Sequence, residues 1–204
     1  MTTPQDLMIT AMDVAPSRPV ERGEVSLALA GAEVVDLRDA GVLRLDGERL
    51  VPAGVAAVED PLLGEAAAAL VRESPYETVE DWLWRRGQGL SARYLAALEA
   101  GGSAARQRGR WIPVRTGRTV LVDSPARRSA AERWERGEPV LTHLAAALGI
   151  YRDGAEGLEA GAEDLDDFLT TVLAAVHGAV TELEAVRQRR SVEDAAFDNI
   201  WRAP

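Results

Sequence analysis

The sequence predicts a mainly α-helical single domain spanning residues 1–204, with one or two β-hairpins at about 42–52 and 103–122. Three observations lead there. Hydrophobic residues make up 47% of the chain but aromatics only 5%, so the core must be filled by Ala, Leu and Val, and Ala and Leu are strong helix formers. Several long stretches repeat their apolar residues at the helical period and carry cap residues at their ends. Two short stretches alternate instead, and the first carries a tight-turn dipeptide.

The N-terminal Thr3-Pro4-Gln5-Asp6 reads as a helix start, with Thr as N-cap, Pro in the first turn and an acid behind it. Leu7, Met8 and Met12 form its apolar side, and Pro16 and Pro19 make 14–22 a loop. The stretch 23–52 is the organising unit. Leu27, Ala30, Val34 and Leu37 fall on one face of an amphipathic helix. Gly41 stops that helix, because glycine takes a left-handed backbone without a Cβ clash. Leu43, Arg44 and Leu45 alternate as a strand, Asp46-Gly47 turns the chain, and Leu50-Val51 begins the return.

Asp60-Pro61 opens a helix running to about Glu73, before Ser74-Pro75. Thr78 and Asp81 form a capping box for VEDWLWRR, in which Trp82 and Trp84 cannot share a face. Ser91 opens the next helix, closed by Gly101-Gly102. Residues 111–114 and 120–122 then read as a hairpin about Thr116-Gly117; an alternative pairs 103–107 with 110–114 about Gly109. Ser124-Pro125 caps a helix to about Arg136, and Pro139 starts another. Residues 153–167 hold seven acids and no base, a solvated linker. A helix from about 165 to 190 follows, and Ser191 opens a last short helix.

The absence of cysteine excludes disulfides, Cys-ligated zinc and thiol catalysis. His143 and His177 sit on apolar helical stretches without a neighbouring acid and read as buried or half-buried structural residues. No P-loop, GxSxG or dinucleotide fingerprint occurs, and the acidic run lacks the calcium-loop spacing. No cofactor, metal or catalytic residue is therefore expected. The N-terminus lacks a basic, then apolar, signal pattern, and no run of about 18 consecutive apolar residues would span a bilayer; a cytoplasmic protein is expected. The helix and Asp-Gly hairpin also suit a winged helix. However, Glu24, Glu33, Asp36 and Asp39 would face phosphates, which speaks against nucleic acid.

Formal net charge is −10, unevenly spread: residues 104–136 hold nine Arg against three acids, and every basic side chain is Arg. Arg106, Arg108 and Arg110 precede Trp111 and Ile112, a cationic strand beside residue types favoured at the headgroup level.

The order LALAGAEVVDLRDAGVLRLD, then PYETVEDW at 75–82, then a helix ending in Gly-Gly before a hairpin, resembles the Golgi phosphoprotein 3 family in its shorter bacterial form over roughly residues 3–200. The Ala, Gly and Arg richness suggests an actinobacterial-type source. The resemblance implies a helix bundle surrounded by amphipathic helices with a protruding hairpin. It also implies a non-enzymatic peripheral membrane adaptor, related to proteins that bind phosphatidylinositol 4-phosphate and cytosolic tails of membrane enzymes and that can self-associate. The family's pocket residues fall at Glu21, Ala30, Leu90 and Arg93, of which only Arg93 keeps the family's residue type. The expectation is a reduced headgroup site at Arg93 and general attraction to anionic phospholipid through Arg106, Arg108 and Arg110. Trp111 and Ile112 would face the membrane, at the inner surface of the cell membrane. The other expectation is a soluble protein-interaction module that has lost lipid binding.

Overall fold

One helix, Arg22–Asp39, is buried on every side. In the computed structural model, residues 1–54, 58–107, 119–152 and 165–201 are described, except for the side chains of 191–201. Their order is α1 (Thr3–Asp13), α2 (Arg22–Asp39), β1 (Leu43–Asp46), β2 (Arg49–Pro52), α3 (Pro61–Ala68), α4 (Val79–Arg86), α5 (Leu90–Ala100), β3 (Ala104–Arg106), β4 (Thr119–Leu121), α6 (Pro125–Glu135), α7 (Pro139–Ala147) and α8 (Asp167–Trp201). The mainly α class and both hairpin regions are as the sequence predicts.

The amphipathic reading of α2 is too modest. Leu27, Ala30, Val34 and Leu37 are buried as expected, but so are Ala28, Leu29, Ala32 and Val35 on the other faces. The helix is a central post contacted by α1, α3, α4, α5, α7 and α8. A helix apolar all round belongs in the interior. Small side chains make this feasible, because neighbours can approach a post of Ala and Gly closely.

Local signals did their expected work along most of the chain. Gly41 has φ +70° and ends α2. The hairpin register pairs Asp46 with Arg49 across the turn. Leu50 and Val51 are both buried, since the far edge of β2 is covered: Leu50 N–H donates to the Glu77 carbonyl and Val79 N–H to that of Glu48. Asp60 accepts from Leu63 N–H, Ser124 from Arg127 N–H, and Thr78 and Asp81 cap each other's amides. Trp82 is fully buried, its Nε1 donating to the Ala30 carbonyl, while Trp84 is only partly covered.

Elsewhere tertiary contacts override the sequence pattern. α3 stops at Ala68 rather than near Glu73. Arginines replace the next helical amides: Arg85 donates to the Ala69 carbonyl and Arg72 to that of Ala67. Ser91 lies inside α5, which Gly89 opens at φ +69°. Ser191 opens no new helix, for α8 continues to Trp201 with no Gly or Pro after Gly178 to break its ladder. In the second hairpin, β3 residues 104–106 pair with β4 residues 119–121. That joins the first segment of one sequence reading to the last segment of the other; residues 108–118 lie outside the described residues, as do 153–164 of the acidic run. His143 is half-buried as expected, but His177 is exposed on the outer face of α8, against the expectation.

Along Asp167–Arg190, α8 is long and apolar enough by composition to cross a membrane, which counting consecutive apolar residues misses. Here Val172, Val176, Ala179 and Val180 pack inward. Close approach to α2 depends on two of its glycines about two turns apart: a Cβ on Gly31 would come within 2.3 Å of Val176 Cγ2, and one on Gly23 within 2.9 Å of Leu183 Cδ2.

Gly31→Ala should therefore destabilise the fold by about 1–3 kcal/mol through overpacking, measured by urea unfolding. Adding Val176→Ala, which removes the clashing methyls, should recover part of that loss; equal or greater destabilisation in the double variant would show that the crossing is not steric.

Candidate functional site

The Arg-rich hairpin leaves the body where α5 ends. Gly102 (φ +72°) turns the chain, and Ser103 N–H donates to the Leu98 carbonyl while the Ser103 carbonyl accepts from Val122 N–H. Glu99 grips both strands: its Oε1 accepts from Thr119 Oγ1 at 3.0 Å and from Arg106 Nε at 3.3 Å. Even so, the Arg106 side chain is 70% exposed. Arg108, Arg110, Trp111 and Ile112 lie outside the described residues.

Arg93 sits in the first turn of α5, half-exposed and ion-paired with Glu65 of α3. It does not join Arg106, for the rest of α5 lies between them, and seven residues of helix alone span roughly 10 Å. Of the other three positions, Glu21 is the N-cap of α2, where it and Glu24 form a reciprocal capping box, and Ala30 and Leu90 are buried completely. Neither Ala30 nor Leu90 can present a group to a headgroup.

A second feature lay beyond sequence reasoning. A cleft of about 1050 Å³ opens between the tip of the β1–β2 hairpin, the N-terminus of α4 and the outer face of α8. Glu48, Glu80, Asp167 and Glu182 line it, and none makes an ion pair with a described residue. Thr171, Ala174 and Gly178 of α8 form its floor. At one end, Phe168 is held under the Arg38 guanidinium, 4.4 Å from its ring centre. Arg38 also bonds Asp166 at 2.6 Å. Asp166 caps α8 through Leu169 N–H, and this bond and Arg38 hold its carboxyl below the usual carboxylate range. The spacing of acids in sequence could not reveal the cleft, because its walls come from three separate elements spread between Leu45 and Glu182. No group of three His, Cys, Asp or Glu among the described residues could hold a metal ion.

The sequence profile of Golgi phosphoprotein 3 (GPP34) matches residues 4–199. The chain belongs to the Golgi phosphoprotein 3 family. No curated protein matches it.

What fixes α5, and with it Arg93 and the hairpin of this Golgi phosphoprotein 3 family member, is a buried polar network. Glu33 of α2 is fully buried. Its two oxygens accept from Arg86 Nε and Nη2 at 2.8 Å each, and Tyr94 O–H donates to it at 3.0 Å. Arg86 Nη2 also donates to the Leu62 carbonyl. One carboxylate thus ties α2 to α4, α5 and the start of α3. Burial raises the Glu33 carboxyl, against the opposing pull of Arg86 and Tyr94. Burial and the Glu33 charge together push the Tyr94 hydroxyl far above its ordinary value, so it stays a donor. Sequence reasoning placed Glu33 on an exposed face. The available signal was a lone acid in a run otherwise made of Ala, Val, Leu and Gly.

Arg86→Met should destabilise by about 3–5 kcal/mol, because it strands a buried carboxylate; Glu33→Leu with Arg86→Met should cost clearly less than the two single changes summed. A strictly additive double-mutant cycle in urea would exclude the coupling. Tyr94 also makes a signed pH prediction. Above about pH 10 the unfolded chain loses the tyrosine proton and the folded chain does not, so stability falls as pH rises, by up to about 1.4 kcal/mol per unit from this group. Comparing wild type with Tyr94→Phe at pH 9 and 11 isolates that slope, and identical slopes would remove it.

Proposed function

We propose that this protein is a non-enzymatic adaptor that associates peripherally with anionic phospholipid through its Arg-rich hairpin rather than through a dedicated headgroup pocket. The observation that carries this reading is compositional and positional. Between Ala104 and Val122 there are five Arg and no acid, in a chain of net charge −10, on a hairpin whose one described Arg is largely exposed. Trp111 and Ile112 beside Arg110 would supply the interfacial contact. Family membership supports phosphoinositide and protein interactions in general.

Arg93 contributes less in this reading. A phosphate reaching it must displace Glu65, and the residues at Ala30 and Leu90 offer no second contact. Charge-driven attachment of this kind weakens steeply as salt shortens the Debye length to about 8 Å at physiological strength. The site is then the inner surface of a cell membrane, with attachment reversible. A second reading, a protein-interaction module without lipid binding, is favoured by the net charge and by the occupied Arg93.

Vesicle co-sedimentation distinguishes them. The protein should pellet with phosphatidylglycerol vesicles at low salt, release at physiological salt, and ignore phosphatidylcholine. Reversing Arg106, Arg108 and Arg110 to Glu should abolish binding, whereas Arg93→Ala should retain most of it. Vesicles carrying phosphatidylinositol 4-phosphate at matched charge should bind no better. A marked preference for them, lost in Arg93→Ala, would restore the specific pocket; no pelleting at low salt would favour the protein-interaction reading.

A further inference from the structure

We infer that the junction of α1, α2, α6 and α7 is a proton-binding latch: Asp6 takes up a proton in acid, and α1 is held more tightly as pH falls. The inference is independent of the proposed lipid-facing hairpin, whose residues take no part in the junction.

The first ground is a shortage of donors. Asp6 is 2% exposed. Its Oδ2 accepts from Arg133 Nη1 at 2.8 Å, but its Oδ1 is buried and has no hydrogen-bond partner among the described residues. Thr2, whose carbonyl accepts from Asp6 N–H, has its own Oγ1 buried and without a described partner, so that hydroxyl does not serve Asp6 either. The other buried acids differ. Glu33 has three donors on its two oxygens, and Glu24 has Arg18 on one oxygen and Arg187 on the other. A carboxylate oxygen held out of water without a donor is costly, and a proton relieves that cost by neutralising the group.

The second ground is a shortage of positive charge. Arg133 of α6 is shared, because its Nη2 donates to Thr3 Oγ1 and faces Glu138 Oε2, each at 3.2 Å. Asp36 of α2 feels the same guanidinium and accepts Thr3 N–H at 2.8 Å. Three carboxylates thus depend on one guanidinium, and only the amino group of Met1 adds a weaker attraction for Asp6. The other charges on the elements packed against α1 are engaged elsewhere. Arg127 and Arg128 of α6 bond Asp13 and Asp123, and Asp39 of α2 pairs with Arg38. On α5, Arg93 pairs with Glu65 and Glu99 holds the hairpin. Asp60 takes Gln5, and His143 of α7 donates Nδ1–H to the Pro139 carbonyl.

The direction follows from which effect is larger. Asp6 lies in the first turn of α1, where the helix dipole favours a charged carboxyl, but that effect is small beside the cost of burying one. Burial raises the Asp6 carboxyl above its ordinary value, against the pull of Arg133. It raises Asp36 in the same way, against its bonds from Thr3. In the unfolded chain Asp6 returns to the ordinary value, so the folded chain binds the proton more tightly. The stability gained is complete below the ordinary aspartate value and is lost as pH rises through the raised one. Acid therefore strengthens the hold on α1 across that window, where an aspartate satisfied by an ion pair would weaken it.

The test is an NMR titration of the carboxyl carbons in the full-length, isotope-labelled protein. The Asp6 midpoint should lie above the ordinary aspartate value. Glu138→Gln, which keeps an oxygen for the first amides of α7, should lower that midpoint by removing a negative neighbour and releasing Arg133. Hydrogen-exchange protection of the α1 amides should rise as pH is lowered through the midpoint, and Asp6→Asn should remove that rise. In urea, the stability of wild type relative to Asp6→Asn should increase over the same window. An Asp6 midpoint at or below the ordinary value overturns the inference on the wild-type chain alone, even where Asp6→Asn fails to fold. So does a raised midpoint with α1 protection unchanged, or a rise in protection that survives in Asp6→Asn, which would belong to Glu33, Asp36 or His143.

Discussion

The fully buried Glu33 carboxylate is the constraint around which the rest of the fold is arranged. Removing an ion of this size from water costs several kcal/mol even after relaxation, so its partners are not optional. Both oxygens and the guanidinium that faces them are bonded, and a third donor comes from Tyr94. Such a pair offers little net stability over a well-packed apolar substitute. Its effect is discrimination. Rotating α2 by one residue, about 100°, would leave Glu33 against apolar neighbours with no donor. A post otherwise made of Ala, Val and Leu has several nearly equivalent ways to pack, and this residue separates one from the others. α4 supplies the arginine, α5 the hydroxyl and the first turn of α3 a carbonyl for that arginine, so the same network sets the positions of three elements.

The remaining buried charges follow the same rule at the two ends of the post. Near its start, Glu24 takes Arg18 at 2.8 Å and Arg187 of α8 at 3.3 Å. On the α1 side, Asp6 takes Arg133 at 2.8 Å, and Asp36 accepts the amide that begins α1. Each acid belongs to α1 or α2, and each arginine partner to a loop or a peripheral helix. The polarity is consistent: acids inside, arginines reaching in from the surface. Arginine suits this, because its stem crosses the apolar layer while the planar fork satisfies both carboxylate oxygens. The match is incomplete at Asp6, where Arg133 holds Oδ2 while Oδ1 is buried without a described partner.

How much of this could be read from the residues divides along a physical line. Features decided by a few adjacent residues were legible: the left-handed Gly41, the Asp46-Gly47 turn, the Asp60 and Ser124 caps and the Thr78–Asp81 box all stand where their chemistry puts them. Features decided by distant partners were not. The end of α3 depends on Arg85 sixteen residues away, the pairing of 104–106 with 119–121 on Glu99 gripping both, and the burial of Glu33 on Arg86 fifty-three residues on. Family order was legible through spacing, while the cleft was invisible because no one segment contains it.

The distribution of arginines also bears on where the protein can meet a charged surface. The basic stretch 104–136 looks like one cationic patch in sequence, but the fold pairs off three arginines of its α6 part with acids. Arg127 bonds Asp13, Arg128 bonds Asp123, and Arg133 holds Asp6 and Glu138. An ion pair already made contributes little field beyond its own dipole, so α6 does not act as a positive face despite its composition. The hairpin between 104 and 122 differs in having no acid of its own, and its one described arginine meets Glu99 only at 3.3 Å while remaining largely in solvent. On the opposite account, the cleft is lined by acids that have no described partner. The β3–β4 hairpin and the lining of the α8 cleft thus carry opposite charge by composition. An anionic surface meeting a body of net charge −10 would be repelled least at the first and most at the second.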